Sequence, residues 1–371
     1  MNILIANRQL ADYTGAEVVC RDLALGLKAL GHAPVVYAPR LAGIAEEIRA
    51  VGIAVYDDVR AVTPAPDVIH GNHPRPLLES LLRFPGVPAV AVCHDGSSMP
   101  DEPFFHPRIL RYVGVDERCR RRIERVPKIP RDRVEVHLNA IDLERFRPRP
   151  PLPATPASAL VFSNYATGWT NLRVVRRACR KASLRLDVVG SGVGRQTSRP
   201  EAAVGQYDVV FAKARCAIEA MAVGCAVVLC DFAGLGPMVT SANFDGLRAN
   251  NFGQAVLTSK ATARGVLAEL RRYDAGDAAR VSVRVRAEAG WDRALPTWVA
   301  LYQDVVREHA RGGPGLDAEH AALLDYFQRW SYDARMDWER AQIARLARVP
   351  LVGAKLVPMV THLLRQWSRR G

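Results

Sequence analysis

The sequence predicts an α/β protein built from two doubly wound domains, and three observations carry that reading. Short apolar runs that suit buried strands alternate with helix-like segments from the first residues to about position 290. A proline-rich stretch breaks the alternation near its middle, after which it restarts. With 371 residues, 49% of them hydrophobic and 7% aromatic, the chain is long enough for two ordinary cores.

In the first half, strands are expected at NILIAN (2–7), PVVYAP (34–39), VIHGN (68–72), AVAVCHD (89–95), YVGVD (112–116) and VEVHLN (134–139). Between the first two, Val18, Val19, Leu23, Leu27 and Leu30 recur at helical spacing, and Gly31 stops the helix. Several of the strands are continuous apolar runs, which suits a parallel sheet covered on both faces. Strand–helix–strand alternation of this kind argues for a doubly wound sheet. The stretch RFRPRPPLPATPAS (145–158) holds five prolines, which no helix or central strand accommodates, and reads as a semi-rigid linker. Strands resume at ALVFSN (159–164), LRLDVVGSG (184–192), YDVVFAK (207–213) and AVVLCD (226–231). The expected division is a Rossmann-like domain over 1–147, a linker over 148–158, a second Rossmann-like domain with a closing helix over 159–310, and a helical extension over 316–371.

Composition bounds the function. The formal charge is +13 and the pI about 9.8, which favours anionic partners without choosing among them. No stacking aromatics or reading motif accompany the arginines, so nucleic acid is not expected. Mean hydropathy is −0.05 and no apolar run approaches the roughly 20 residues of a spanning helix. The start, MNILIANRQL, has no basic leader or cleavage site. Seven scattered cysteines without a CxxC suggest neither disulfides nor zinc. A reducing cytoplasm is the expected compartment.

The stretch YDVVFAKARCAIEAMAVGCAVVLC (207–230) concentrates the chemistry. In parallel sheets ligands bind at the carboxyl ends of strands. A helix starting near Ala214 would aim its free N–H groups and positive dipole there, and Lys213 and Arg215 add two charges at the same place. That combination suits a phosphate. Glu219, one turn into the helix, would be repelled by a phosphate, and its two oxygens suit a pair of sugar hydroxyls. The alternative is that Glu219 simply pairs with one of the two cations.

Four further stretches, taken with AIEAMAVGCAVVLCD (217–231), resemble glycosyltransferases of the GT-B fold, in particular family 4: TGAEVVCRDLALGLKALGH (14–32), LNAIDLERFRP (138–148), DVVGSG (187–192) and WDRALPTWVALY (291–302). The resemblance covers about residues 1–310. It implies two Rossmann-like domains facing a cleft, a nucleoside diphosphate sugar held mainly by the second and an acceptor mainly by the first. It implies that Glu219 grips the donor ribose, that Gly15 and Ala16 face the donor phosphates, and that the Gly190–Gly192 turn packs near the base. His94 and Asp95, ending the strand AVAVCHD, fall where the family has a histidine on the acceptor side, able to donate to a sugar hydroxyl, and His73 lies at a neighbouring strand end. The expected activity is sugar transfer to an acceptor hydroxyl with retention, in glycan, glycolipid or polysaccharide synthesis, without metal or other cofactor. Frequency in the family points to UDP rather than GDP.

The chain departs from the family in two places. The first glutamate of the E-x7-E pattern falls on Phe211, inside a strand. The arginine and lysine that usually follow the first strand of the second domain are replaced by FSNYATGWTNLR (162–173), which offers Asn164, Tyr165 and Arg173. Lys213 and Arg215 are therefore expected to supply the phosphate charges and, with His94, the catalytic groups. Two alternatives stand beside transfer: a sugar-nucleotide epimerase of the same fold, for which no carboxylate pair is evident, and a catalytically silent nucleotide-binding module. The tail VPLVGAKLVPMVTHLLRQWSRRG (349–371) suits either contact with an anionic membrane surface, at the inner face, or docking on protein.

Overall fold

The computed structural model describes residues 1–329 apart from Asp12, Gly168, Trp169, Gln196 and Ser198. The chain forms two compact units, one of residues 1–104 and 108–313, the other of 105–107 and 314–371. The tail expected at a membrane or protein surface lies outside the described residues. Among the described residues, no helix is long and apolar enough to cross a membrane.

The larger unit holds two sheets. The first is parallel and seven-stranded, formed by β1 (Asn2–Ala6), β2 (Ala33–Tyr37), β3 (Val55–Tyr56), β4 (Val68–Gly71), β5 (Ala89–Cys93), β6 (Ile109–Gly114) and β7 (Val134–Val136) in the order β3-β2-β1-β4-β5-β6-β7. Strand β1 is central, and Ile3, Leu4 and Ile5 are buried whichever face they point to, which is why its sequence reads as an unbroken apolar run. Helices α1 (Gly15–Ala29), α2 (Gly43–Ala50), α3 (Pro74–Arg83) and α4 (Glu117–Ile123) connect its strands. In α1 the buried apolar stripe is Cys20, Leu23, Ala24 and Leu27. Of the predicted positions Leu23 and Leu27 lie in it, Val18 and Val19 are half-buried and Leu30 is exposed. Gly31, at φ +80°, takes the left-handed turn that follows the helix.

The second sheet comprises β8 (Ser158–Phe162), β9 (Arg185–Val189), β10 (Val209–Ala212), β11 (Ala226–Asp231) and β12 (Gly234–Met238) in the order β12-β11-β10-β8-β9. All pairs are parallel except β11–β12. The chain leaves β8 for β9 on one side and then returns to β10 on the other. The crevice between the ends of β8 and β10 is therefore the place where strand order reverses. Helices α5 (Leu172–Lys181), α6 (Pro200–Val204), α7 (Ala214–Val223), α8 (Phe244–Arg248), α9 (Ala263–Leu270) and α10 (Ala275–Glu288) complete this lobe. Alternate residues of β10 divide between two cores. Val210 and Ala212 pack on the face that carries α7, while Val209 and Phe211 join the opposite core with Val175 and Val266.

Three features differ from the sequence expectation. Strand β3 was not expected, because its two residues are too short a run to signal a strand; it forms by pairing with β2 at the sheet edge. Strand β12 was not expected, because GLGPM reads as a loop; it survives as an edge strand, where a proline need not donate to a ladder. The closing helix α11 (Trp291–Ala310), grouped by sequence with the second domain, crosses back and packs on α1, β4, β5 and β6 of the first lobe. The reason is its apolar face: Trp298, Leu301, Tyr302 and Val305 are buried, and Tyr302 hydroxyl and His70 Nδ1 lie 2.8 Å apart. In the smaller unit, α12 (Leu316–Arg329) is the described part of the expected extension.

Candidate functional site

Strand β10 ends at Ala212, Lys213 caps the next helix in extended conformation, and α7 begins at Ala214. Ala214 sits at φ +48°, a left-handed conformation uncommon for a residue with a Cβ, and its N–H donates to Phe252 O at 2.7 Å. This turn aims α7 across the crevice. Arg215 and Glu219, four apart, share one face of the helix: Arg215 Nε donates to Glu219 Oε1 at 2.8 Å.

Arg215 also reaches the other lobe. Its Nη2 pairs with Asp22 Oδ2 on α1 and its Nη1 donates to Ala140 O at 3.2 Å. Asp22 in turn holds Arg21 at 2.7 Å, and Arg21 holds Glu47 at 2.7 Å. Burial opposes the charge on Arg215, but Asp22 and Glu219 more than offset it, so the guanidinium stays charged well above its ordinary range. Burial likewise pushes Asp22 up, and Arg215 and Arg21 overcome it, leaving the carboxyl below the usual range. At Glu219 burial prevails and the carboxyl lies above its ordinary value.

The expected pair of cations thus resolves into two different groups. Arg215 is neutralised by two carboxylates, so in this arrangement it is not a free phosphate clamp. Lys213 stands apart, 3.4 Å from Asp231 Oδ2 and beside the rings of Tyr165 and Phe232. Glu219 has one oxygen engaged by Arg215, while its Oε2 makes no hydrogen bond among the described residues.

Gly15, Asn164, Gly190, Arg215 and Glu219 line one cleft that encloses about 680 Å³ of space open to solvent. The fold therefore brings together five of the positions marked by sequence; Ala16, Gly192 and Lys213 are not on its wall. At Gly15, the first residue of α1, an added Cβ would meet nothing within 4 Å, so the cleft's open space begins at this backbone. Gly190 and Gly192 are glycines for another reason. A Cβ would lie 2.0 Å from Ser163 O at Gly190 and 2.4 Å from Ala166 O at Gly192. The turn after β9 is pressed onto the loop after β8, and Asn164 Oδ1 accepts from Ser191 N at 3.0 Å. Arg145 also lines the cleft and pairs with Glu201 at 2.8 Å; its position within LERFRP was the signal that could have marked it.

The first lobe assembles a second group at the carboxyl ends of β4 and β5. Asn72 Oδ1 lies 3.1 Å from His70 Nε2 and 2.8 Å from His94 Nε2. With that oxygen as acceptor, both rings carry their proton on Nε2, and His94 offers Nδ1 as an acceptor rather than the donor expected from sequence. Burial holds the imidazoles neutral, pushing His70 and His73 down to about 3 and His94 to about 4. Asp101, which the sequence did not mark, stands 3.9 Å from His73 Nε2 and accepts from His94 N at 3.3 Å. Burial raises its carboxyl to about 6. Asp95 serves the turn instead, its Oδ1 accepting from the N–H groups of Ser97 at 2.6 Å and Ser98 at 2.7 Å. Among the described residues, no group of three or more His, Cys, Asp or Glu is placed to hold a metal.

Residues 51–145 match the family model described as Glycosyltransferase Family 4. No curated protein matches the sequence. Among solved structures, Anabaena HepE in complex with UDP and glucose is similar at 12% identity and TM-score 0.59, covering 82% of this chain and 100% of that one. A glycosyltransferase from Rickettsia africae is similar at 13% identity and TM-score 0.53, covering 82% and 98%. Sucrose-phosphate synthase from Thermosynechococcus elongatus is similar at 13% and 0.52, covering 83% and 99%. With two mostly parallel α/β sheets flanking a cleft and this matched segment in its first lobe, the chain has the GT-B glycosyltransferase fold and resembles family 4.

Proposed function

We propose that the protein transfers a sugar from a nucleoside diphosphate sugar to an acceptor hydroxyl, with retention and without a metal. The observation that carries this is the cleft in which the N-terminal Gly15 of α1 faces the tip of α7 with Arg215 and Glu219. Two helix N-termini and one open carboxylate oxygen are the donors and the acceptor that a diphosphate and a ribose need. The ribose hydroxyls donate to Glu219 Oε2, and the diphosphate lies against the α7 tip beside Lys213. The acceptor oxygen bonds to the anomeric carbon as the bond from that carbon to the diphosphate oxygen breaks. The diphosphate departs with the electron pair and takes the hydroxyl proton. Positive groups aimed at this departing charge are the largest catalytic contribution such a site can make. On the first lobe, His94 Nδ1 accepts from a hydroxyl of the acceptor. HepE, whose structure contains UDP and glucose, supports the donor class, with UDP as the favoured nucleotide.

A thermal-shift screen against nucleoside diphosphates and their sugars tests the reading, because a ligand that binds the folded state raises the melting temperature. A donor hit is then incubated with candidate acceptors, and release of free diphosphate is measured. A second reading, nucleotide binding without transfer, is favoured by the ion pairs that neutralise Arg215 and by Phe211 standing buried where the first glutamate belongs. It predicts a nucleotide-dependent shift with no diphosphate released by any acceptor, whereas donor isomerised without release would indicate epimerisation.

A further inference from the structure

At the strand-order reversal of the second sheet, the carboxyl ends of three neighbouring strands each present one part of an amphipathic surface. Tyr165 follows β8, Lys213 follows β10, and Phe232 follows Asp231, the last residue of β11. The two rings lie with centroids 5.0 Å apart at 50°, and they are 57% and 47% exposed. They are the only exposed Phe, Tyr or Trp side chains among the described residues of the larger unit. Lys213 Nζ stands 5.3 Å from one ring centre and 5.9 Å from the other, within cation–π range.

This surface is rigidly backed. Asp231 Oδ1 accepts from Ser163 Oγ and from Phe232 N, both at 2.8 Å, and Ser163 Oγ accepts from Tyr165 N at 3.1 Å. The backbone of each aromatic residue is thereby tied to one buried carboxylate, which also pairs with Lys213. Lys213 and Asp231 form an ion pair at the edge of this surface, while the two rings themselves carry no charge and suit a neutral group. Exposed ring faces beside a few fixed polar groups suit a molecule with one apolar C–H face and hydroxyls at its rim.

We propose that Tyr165 and Phe232 form the platform on which the sugar ring of the donor, a neutral hexose, is stacked. This rests on the nucleotide-sugar reading above. Its location follows the order of strands: the cleft extends from Gly190 after β9 to Asn164 after β8, and Tyr165 is the next residue. A donor whose base lies on the β9 side reaches β10 and β11 with its sugar. Lys213, flanked by both rings, stands where diphosphate meets hexose.

The test is calorimetric titration of UDP, UDP-glucose, GDP and GDP-mannose into the wild type and into Tyr165→Ala and Phe232→Ala. Both side chains are exposed, and circular dichroism confirms that the variants are folded. The platform predicts that affinity for the sugar nucleotide falls about tenfold while that for the matching diphosphate stays within about twofold. An equal fall for both, or no fall for the sugar nucleotide, overturns the platform and leaves the nucleotide site standing. Failure of the wild type to bind any of the four overturns the nucleotide-sugar reading, and the platform with it.

Discussion

Replacing Arg215 by methionine removes the group that ties α7 to α1. Its side chain is 8% exposed, that of Asp22 4% and that of Glu219 6%, so water does little to screen what is left behind. Asp22 keeps Arg21 at 2.7 Å, but Glu219 loses its ion-pair partner. Breaking a buried pair from one side costs about 3–5 kcal/mol, mostly as the uncompensated charge. With a urea dependence of about 3 kcal/mol per molar, the unfolding midpoint at pH 7 falls by about 1–2 M. Adding Glu219→Gln takes that charge away, so Arg215→Met with Glu219→Gln recovers most of the loss and leaves a deficit of about 1 kcal/mol. Asp22→Asn alone is milder, about 1.5–3 kcal/mol, because Arg215 retains Glu219. Urea titration followed by tryptophan fluorescence reads all four proteins. A midpoint loss below 0.3 M for Arg215→Met, equivalent to about 1 kcal/mol, or a double variant no more stable than the single one, would refute the argument.

The remaining expectations concern the helix tip, the glycines and the histidine cluster. Ala214→Gly relieves the left-handed strain at φ +48° and raises stability by about 0.5–1 kcal/mol in the same titration, whereas Ala214→Val lowers it. Gly15→Leu has open space around its Cβ, so stability stays within about 0.5 kcal/mol, yet the new side chain occupies the cleft and abolishes the nucleotide thermal shift. Gly190→Ala does the reverse: a Cβ 2.0 Å from Ser163 O forces the two loops apart and costs about 1–3 kcal/mol or more. His70, His73 and His94 are held neutral by their lowered values, so the stability they contribute is intact above pH 6.5 and falls away as the pH drops towards 4 and 3. Asp101 has the opposite sign. Its carboxyl, raised from 3.8 to about 6, favours folding at low pH and loses that advantage as the pH rises through this window. Asp101→Asn therefore gains up to about 3 kcal/mol at pH 7 and nothing below pH 4; urea midpoints across that range check it.

Much of the architecture was readable because its causes are local. The apolar runs of β1 and β11 lie within one element, and the buried stripe of α1 repeats at helical spacing inside fifteen residues. The α7 turn was equally visible, since Lys213, Arg215 and Glu219 are neighbours in sequence. Strand β12 escaped because glycine and proline signal loops wherever an edge pairing is not known in advance. Asp101 escaped because GSSMPDEP has no periodicity, and only its loop's return to His94 and His73 buries the carboxyl.

The sequence by itself determined where strands and helices run, and that a cationic turn opens the crevice of the second sheet. Those properties depend on side-chain periodicity and on residues within a turn of one another. Only the tertiary structure decided what the charges do. Arg215 meets Asp22 from 193 positions away, and Lys213 goes instead to Asp231. An ion pair depends on distance in space and on exclusion of water, and neither is written in the order of residues along the chain.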